Sequence, residues 1–301
     1  MNEKLETLNR RFGIPGQVSF RPGPGGMDAV EVSNAEASAT ILLQGAHLIA
    51  WTPKGEAPVI WTSPEAKFAP GKSVRGGVPV CWPWFGPHAT RPDFPAHGFA
   101  RTVMWEPIGV KALPEGTWLA FRLVANEATR AMWPHPTELV LQMVVGRTLD
   151  MDLATWNRGD TPVTIGDALH TYFAVGDVRF IKIHGLHMVE YLDKVDGNTR
   201  KTQLGPVIIR GEVDRIYLNT PDACVIEDPK LARRIRIVKE NSRSTVVWNP
   251  WIEKAAKLGD LGPEGHLHMV CVESANAAED VVTLAPGAEH HLWVRYSVEP
   301  I

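Results

Sequence analysis

Apolar and polar residues alternate with a period of two along most of this chain, the signature of strands with one face buried. Residues 39–52, ATILLQGAHLIAWT, read as two strands meeting at Gln44-Gly45, and 59–62 as a further short one. Strand patterns follow at 117–125 and 138–145, and Gly146-Arg147 can turn the chain into 149–156. Others lie at 163–165, 168–175, 179–184, 215–218, 224–227, 234–239, 245–248, 266–274, 280–284 and 290–298. Helical spacing is confined to two places. Residues 2–12 carry Leu5, Leu8 and Phe12 and are stopped by Gly13-Ile14-Pro15, and residues 251–258 are stopped by Gly259. The polar run 193–205 reads as a hairpin excursion. Many short strands with few helices predict an all-β fold, a large antiparallel sandwich with a few short helices. No repeat, low-complexity tract or charge block divides the chain, so one domain over 1–301 is expected.

Residues 73–101, SVRGGVPVCWPWFGPHATRPDFPAHGFAR, break the alternation. A segment this rich in proline and glycine cannot be one regular helix or strand. It also carries Val74, Val78, Val80, Trp82, Trp84, Phe85 and Phe99, too apolar a set for a loose linker. The stretch reads as an ordered loop packed over the mouth of the β scaffold, where long ordered loops usually carry function.

Composition narrows the function classes. The 301 residues are 44% hydrophobic and 22% charged with a formal net charge of −3, a soluble globular composition without the basic surplus of a nucleic-acid binder. Cys81, Cys224 and Cys271 are odd in number and far apart, so neither a disulfide framework nor a CxxC zinc site is expected. No apolar run approaches membrane-span length, and the N-terminus lacks a signal-peptide core, so the expectation is a cytoplasmic protein with no membrane partner.

Six residues stand out chemically. In HLHMVCVES, alternation puts Glu273 on the face of Leu267, Met269 and Cys271, opposite His266, His268, Val270 and Val272. A carboxylate on an apolar face is costly unless paired or used, and desolvation makes it a better proton acceptor near neutral pH. The competing reading is a strand-end glutamate that reaches solvent. His170, in GDALHTYFAVGD, is either a general acid or base or a satisfied core histidine; Asp167 points to the other face of an ideal strand. Arg75, followed by Gly76-Gly77, and Arg101, near Gly98, suit bidentate binding of an anion or else make surface ion pairs. His97 lies between them in sequence. Asp214, in EVDRIYLNT, is a strand-entry residue or a partner for Arg215. The groupings His266/His268, His184/His187 and His290-His291 do not supply three or four convergent ligands, so no metal is expected. Nucleotide-loop and serine-hydrolase motifs are absent from the sequence.

Taken in order, SVRGGVPVCWPWFG at 73–86, HGFAR at 97–101, DALHTYF at 167–173, VDRIY at 213–217, VVWNPW at 246–251, CVESAN at 271–276 and the closing L-APG-E at 284–289 resemble the aldose 1-epimerase superfamily, most closely its glucose-6-phosphate 1-epimerase branch. The resemblance implies a single-domain β-supersandwich with a broad cleft and no cofactor. It implies His170 as general acid and Glu273 as general base, Arg75 and Arg101 on the substrate phosphate or nearby hydroxyls, and His97 and Asp214 on the sugar. Ala96 stands where relatives often carry glutamine. Trp82, Trp84, Phe99, Tyr172 and Trp248 are candidates to stack on the sugar ring. The expected partner is a small sugar phosphate and the expected state a monomer. The alternatives are a mutarotase for neutral aldoses, which would give buried arginines no anion to pair, and a non-catalytic carbohydrate-binding protein on the same scaffold.

Overall fold

Two eight-stranded antiparallel sheets share one hydrophobic core in the computed structural model, which describes residues 3–301. The outer sheet runs in the order 182–184, 224–228, 233–240, 289–300, 149–157, 137–146, 116–123, 105–113. The second runs 199–202, 190–193, 213–218, 244–249, 269–276, 167–169, 80–81, and strand 172–174 also pairs with 269–276. A four-stranded sheet built from 18–22, 28–33, 37–42 and 47–53 contributes to the same core, and 163–165 pairs with 282–284. The period-two pattern explains the layering. Leu149, Met151 and Leu153 from the outer sheet and Val270, Val272 and Val247 from the second belong to one core cluster, all essentially unexposed, while the residues between them point away. Phe173 packs edge-on against Tyr296 across the two sheets, with ring centroids 5.1 Å apart.

The two helices expected from the sequence are both present. One spans Glu3–Phe12 and buries Leu5; residue 2 of the expected helix lies outside the described residues. The other spans Trp251–Leu258, and Gly259 ends it in the left-handed conformation with its N–H on the carbonyl of Ala255. The hairpin expected around 193–205 is present, Glu190–Asp193 pairing with Thr199–Thr202. None of the helices in the described residues is long and apolar enough to cross a membrane.

Several elements differ from expectation. Residues 59–62 form only isolated bridges, Ile60 to Phe173 and Thr62 to Gly76. The run 266–274 begins with a 3-10 turn at Gly265–Leu267, so the strand is Met269–Asn276. Strand Trp105–Leu113 was not legible because Pro107 and Gly109 interrupt its pattern, and a register shift falls between them. Helix Glu127–Met132 was missed as well; its signal is a capping box, Asn126 accepting from the Thr129 N–H and Thr129 from the Asn126 N–H. The most consequential difference is that 168–175 is two strands, Asp167–Leu169 and Tyr172–Ala174, broken at His170-Thr171.

Candidate active site

The break at His170 organises the cleft. On one side of it Leu169 pairs with Ser274, and on the other Tyr172 pairs with Cys271, so the register against strand 269–276 is continuous. The gap therefore falls opposite Glu273. There His170 leaves the ladder, donating its backbone N–H to Pro79, while the Thr171 hydroxyl is tied to Tyr296 of the outer sheet at 2.6 Å. His170 Nε2 ends 3.3 Å from Glu273 Oε1. The next row across the same face runs Tyr172, Cys271, Trp248, Asp214, each opposite the next. Alternation thus delivers Glu273 to the cleft face, as its sequence pattern indicated, while Val270 and Val272 fill the core behind it.

All six expected residues, His170, Glu273, Arg75, His97, Arg101 and Asp214, line one cleft of about 270 Å³. Tyr172 and Trp248 line it too. Trp82 and Phe99 do not: they are buried and border a separate cavity with Trp133, and Trp84 packs with His88 and Phe94. The loop 73–101 reaches the cleft at several points, Pro79 and Phe85 among them, and two of its turns shape the wall. The first is the Arg75-Gly76-Gly77 turn. Gly76 has φ +109, and a Cβ there would lie 2.4 Å from Thr62 Cα, so only glycine lets the turn close on its neighbour. His47 donates from Nε2 to Gly76 O, 2.8 Å away, and burial lowers its pKa to about 4. The second is His97–Arg101. Gly98, with φ +69, approaches so closely that a Cβ would fall 1.9 Å from Trp82 O.

Burial controls the protonation of the pair. Glu273 is 1% exposed and its Oε2 has no partner; desolvation first, then the Asp214 charge, hold its carboxyl well above the usual range. Lys194 and Arg101 pull the other way. His170 is stacked on Tyr172, with ring centroids 5.1 Å apart at 16°, and flanked edge-on by Trp248 and His97. Desolvation, His97 and Arg101 hold its imidazole well below the usual range. Each group is pushed toward its neutral form, so the pair carries one proton across the neutral range. His97 accepts the Gly86 N–H on Nδ1, which leaves its proton on Nε2; desolvation, Arg101 and Lys194 lower its pKa to about 3.

The cations are more numerous than the sequence reading recognised. Lys194 and Lys254 line the cleft beside Arg75 and Arg101, and Asp260 joins Asp214. Arg75 donates from Nε to Asp260 Oδ1 and from Nη1 to Tyr172 Oη, both at 3.0 Å. This corrects the expectation that a neutral sugar would leave the arginines without an anion, since Arg75 has one built in. Among the described residues Arg101 donates only to the carbonyl of Ala96, at 2.8 Å. Asp214 lies between Lys194, 3.6 Å from Oδ1, and Lys254, 3.8 Å from Oδ2, rather than on Arg215, whose guanidinium covers Tyr191. Lys194 and Lys254 carried no usable signal, because one sits in a polar hairpin and the other on an exposed helix face.

His170, Cys271 and Glu273 present ligand atoms within 4.8 Å of one another. Burial holds the thiol and the carboxyl protonated, and four cations line the same cleft, so this donor set does not suit a divalent cation at neutral pH. Of the other histidines singled out, His187 accepts from the Gly205 N–H, His290 meets Asn276 and His291 meets Asp152.

The chain is similar to known proteins over nearly its whole length. Residues 28–297 match the family model described as aldose 1-epimerase. A protein of Escherichia coli named "Putative glucose-6-phosphate 1-epimerase" is 39% identical over 254 residues, 84% of each chain. One of the same name from Salmonella typhimurium is 39% identical over 277 residues, 90% of this chain and 92% of that one. A crystal structure from Salmonella typhimurium, described as a "putative mutarotase", superposes with a TM-score of 0.89 at 33% identity, covering 98% of this chain and 100% of the other.

Proposed function

This chain belongs to the aldose 1-epimerase family and is an isomerase, and we propose that it interconverts the α and β anomers of a hexose 6-phosphate, glucose 6-phosphate first among them. The observation that carries the reading is the His170–Glu273 pair, 3.3 Å apart in a cleft lined by four cations.

The chemistry needs one base and one acid. Glu273, as carboxylate, removes the proton of the C1 hydroxyl. His170, as imidazolium, protonates the ring oxygen as its bond to C1 breaks. The open aldehyde turns about C1–C2, and on closure at the other face Glu273 returns its proton to the C1 oxygen while His170 takes back the proton of the C5 hydroxyl. The single proton shared by the pair supplies this state without change of net charge: the neutral pair and the carboxylate–imidazolium pair are tautomers. Acid–base assistance of this kind contributes roughly 10²–10⁴-fold per group. Because Glu273 is pushed up and His170 down, the one-proton state spans a wide range. The rate should be flat across neutral pH, falling at high pH where the pair loses its proton and at low pH where it gains a second.

The Arg75–Asp260 pair favours a second reading, a mutarotase for neutral aldoses, since that arginine is compensated without substrate. Magnetisation-transfer NMR separates the two. Anomer exchange is followed for glucose 6-phosphate and, separately, for glucose and galactose. Faster exchange of the phosphosugar is the expected result. Acceleration of free galactose or glucose alone transfers the chain to the neutral-sugar reading, and binding without exchange of any sugar refutes the acid–base assignment.

A further inference from the structure

The turn that presents His170 is held from behind, through the core. The Thr171 N–H closes on the Leu169 carbonyl at 2.8 Å, the three-residue bond of a γ-turn centred on His170. Thr171 Oγ1 donates to the same carbonyl at 3.2 Å, and so accepts at 2.6 Å from Tyr296 Oη of strand 289–300. We propose that Thr171 and Tyr296 are positioning residues for the reaction: their hydrogen bond locks the turn and fixes His170 at its distance from Glu273. The proposal rests on the acid–base reading above.

Cost is the first argument. Alternation puts Leu169, Thr171 and Phe173 on the core face, and all three are unexposed. Leu169 and Phe173 belong to the main hydrophobic cluster, where a valine, with the shape of threonine, would bury no polar atom. Replacing a hydrogen-bonded buried pair by apolar groups of the same shape is nearly neutral for stability. Packing alone therefore does not call for hydroxyls at 171 and 296. What the hydroxyls add is direction.

Placement is the second. The break in the ladder falls at register positions 170 and 171, across from Glu273 and Val272. The His170 N–H donates to Pro79 and the Tyr172 N–H to Gly77, so one side of the turn is tied to residues 77–79. The Tyr296 bond ties it to the outer sheet as well.

Rigidity is the third. Strand 289–300 is interior to the outer sheet, and Tyr296 stands between Leu149 and Ile237 of its two neighbours. Phe173 packs edge-on against its ring. Burial raises the pKa of the phenol and the Glu273 charge adds to it, which puts Tyr296 close behind the His170–Glu273 pair. A fixed post thus holds a turn that has no ladder of its own.

The test measures anomer exchange of glucose 6-phosphate, and the 15N shifts of the His170 imidazole against pH, in wild type, Tyr296→Phe, Thr171→Val, Thr171→Ser and the double variant of Thr171→Val with Tyr296→Phe. Tyr296→Phe and Thr171→Val should each lower kcat roughly tenfold with KM within about twofold, because a displaced imidazole leaves the groups that bind substrate in place. The double variant should lose no more than the larger single loss, since the two hydroxyls act as one unit. Thr171→Ser should restore kcat. Glu273, Tyr172, His97, Arg101 and Arg75 face the imidazole unchanged in every variant. A released ring that gains water should therefore titrate at higher pH, and the acid limb of the rate profile should move up with it. Wild-type kcat in Tyr296→Phe overturns the proposal. So do losses that add in the double variant, and so does a fall in kcat with the His170 titration unmoved, which would mean a general loss of packing. A wild type that exchanges no sugar overturns the proposed reaction, and the titration then decides the positioning role by itself: a shift in Tyr296→Phe upholds it and no shift overturns it.

Discussion

Neighbouring strands 167–169 and 269–276 carry two buried carboxyls, each facing an imidazole, one on each face of the sheet. On the cleft face Glu273 meets His170 at 3.3 Å; on the core face Asp167, three residues before His170, lies 3.9 Å from His290 of the outer sheet. Both carboxyls are almost unexposed, both leave oxygen atoms without a partner, and desolvation raises both. At Asp167 the backbone ladder is unbroken, in register with Asn276, and neither Asp167 nor His290 lines the cleft. The Glu273 pairing sits where the ladder fails. A buried, unpaired acid thus marks a place where the fold tolerates cost, and only the opening at His170, with cations beside it, turns that cost to chemical use.

Breaking the cleft pair should have the largest effect. Glu273→Gln keeps the volume and removes the base, and anomer exchange should fall by about 10²–10⁴-fold. If exchange in this variant stays near wild type, the base lies elsewhere. His170→Asn should follow at about 10²–10³-fold, with the pH plateau lost because one of the two titrating groups is gone. A plateau preserved in His170→Asn would assign the acid to another group.

Much of this comparison was readable from the chain, and the unreadable part has a physical reason. Alternation in HLHMVCVES placed Glu273 on the face of Met269 and Cys271, and the strand bears this out, since period two survives burial of both faces. The same logic kept Asp167 off the face of His170. What alternation could not give was the break at His170-Thr171, because Leu169 through Ala174 look like an ordinary continuous strand; the interruption is made by partners far away, Pro79 and Tyr296. Asp260, Lys194 and Lys254 were invisible for a related cause. Each sits in a turn or helix whose local pattern is that of a solvated surface, and only the tertiary fold turns it inward. The aromatic stretch 73–86 misled in the opposite sense: Trp82 supports the loop from beneath rather than the substrate from above.

Gly98→Ala tests whether the loop is what keeps the cleft pair different from the core pair. A methyl group 1.9 Å from Trp82 O, at φ +69, must displace His97 and Arg101 or unseat Trp82. Stability should drop by about 2–4 kcal/mol in chemical denaturation, with KM for the phosphosugar rising as the donors move. Retention of both would mean that the loop adjusts without cost and does not define the cleft.

The smallest effect on rate, and the sharpest contrast, is expected from Asp167→Asn. Because Asp167 does not line the cleft, anomer exchange should stay within about twofold of wild type, against the collapse in Glu273→Gln. Its signature lies in stability. Desolvation, reinforced by the Asp280 charge, raises the Asp167 pKa from 3.8 to about 8 in the folded chain. Between those values the folded protein keeps a proton that the unfolded chain has released. Stability from this group is therefore full below pH 4 and is lost as pH rises toward 8, at about 1.4 kcal/mol per pH unit. Asparagine cannot titrate, so the melting temperature of Asp167→Asn should decline less than that of wild type over this window, while Glu273, unchanged in both, contributes equally to each. Parallel curves would mean that Asp167 is ionised inside the fold, and the core pair would then be a salt bridge to His290 rather than an idle counterpart of the cleft.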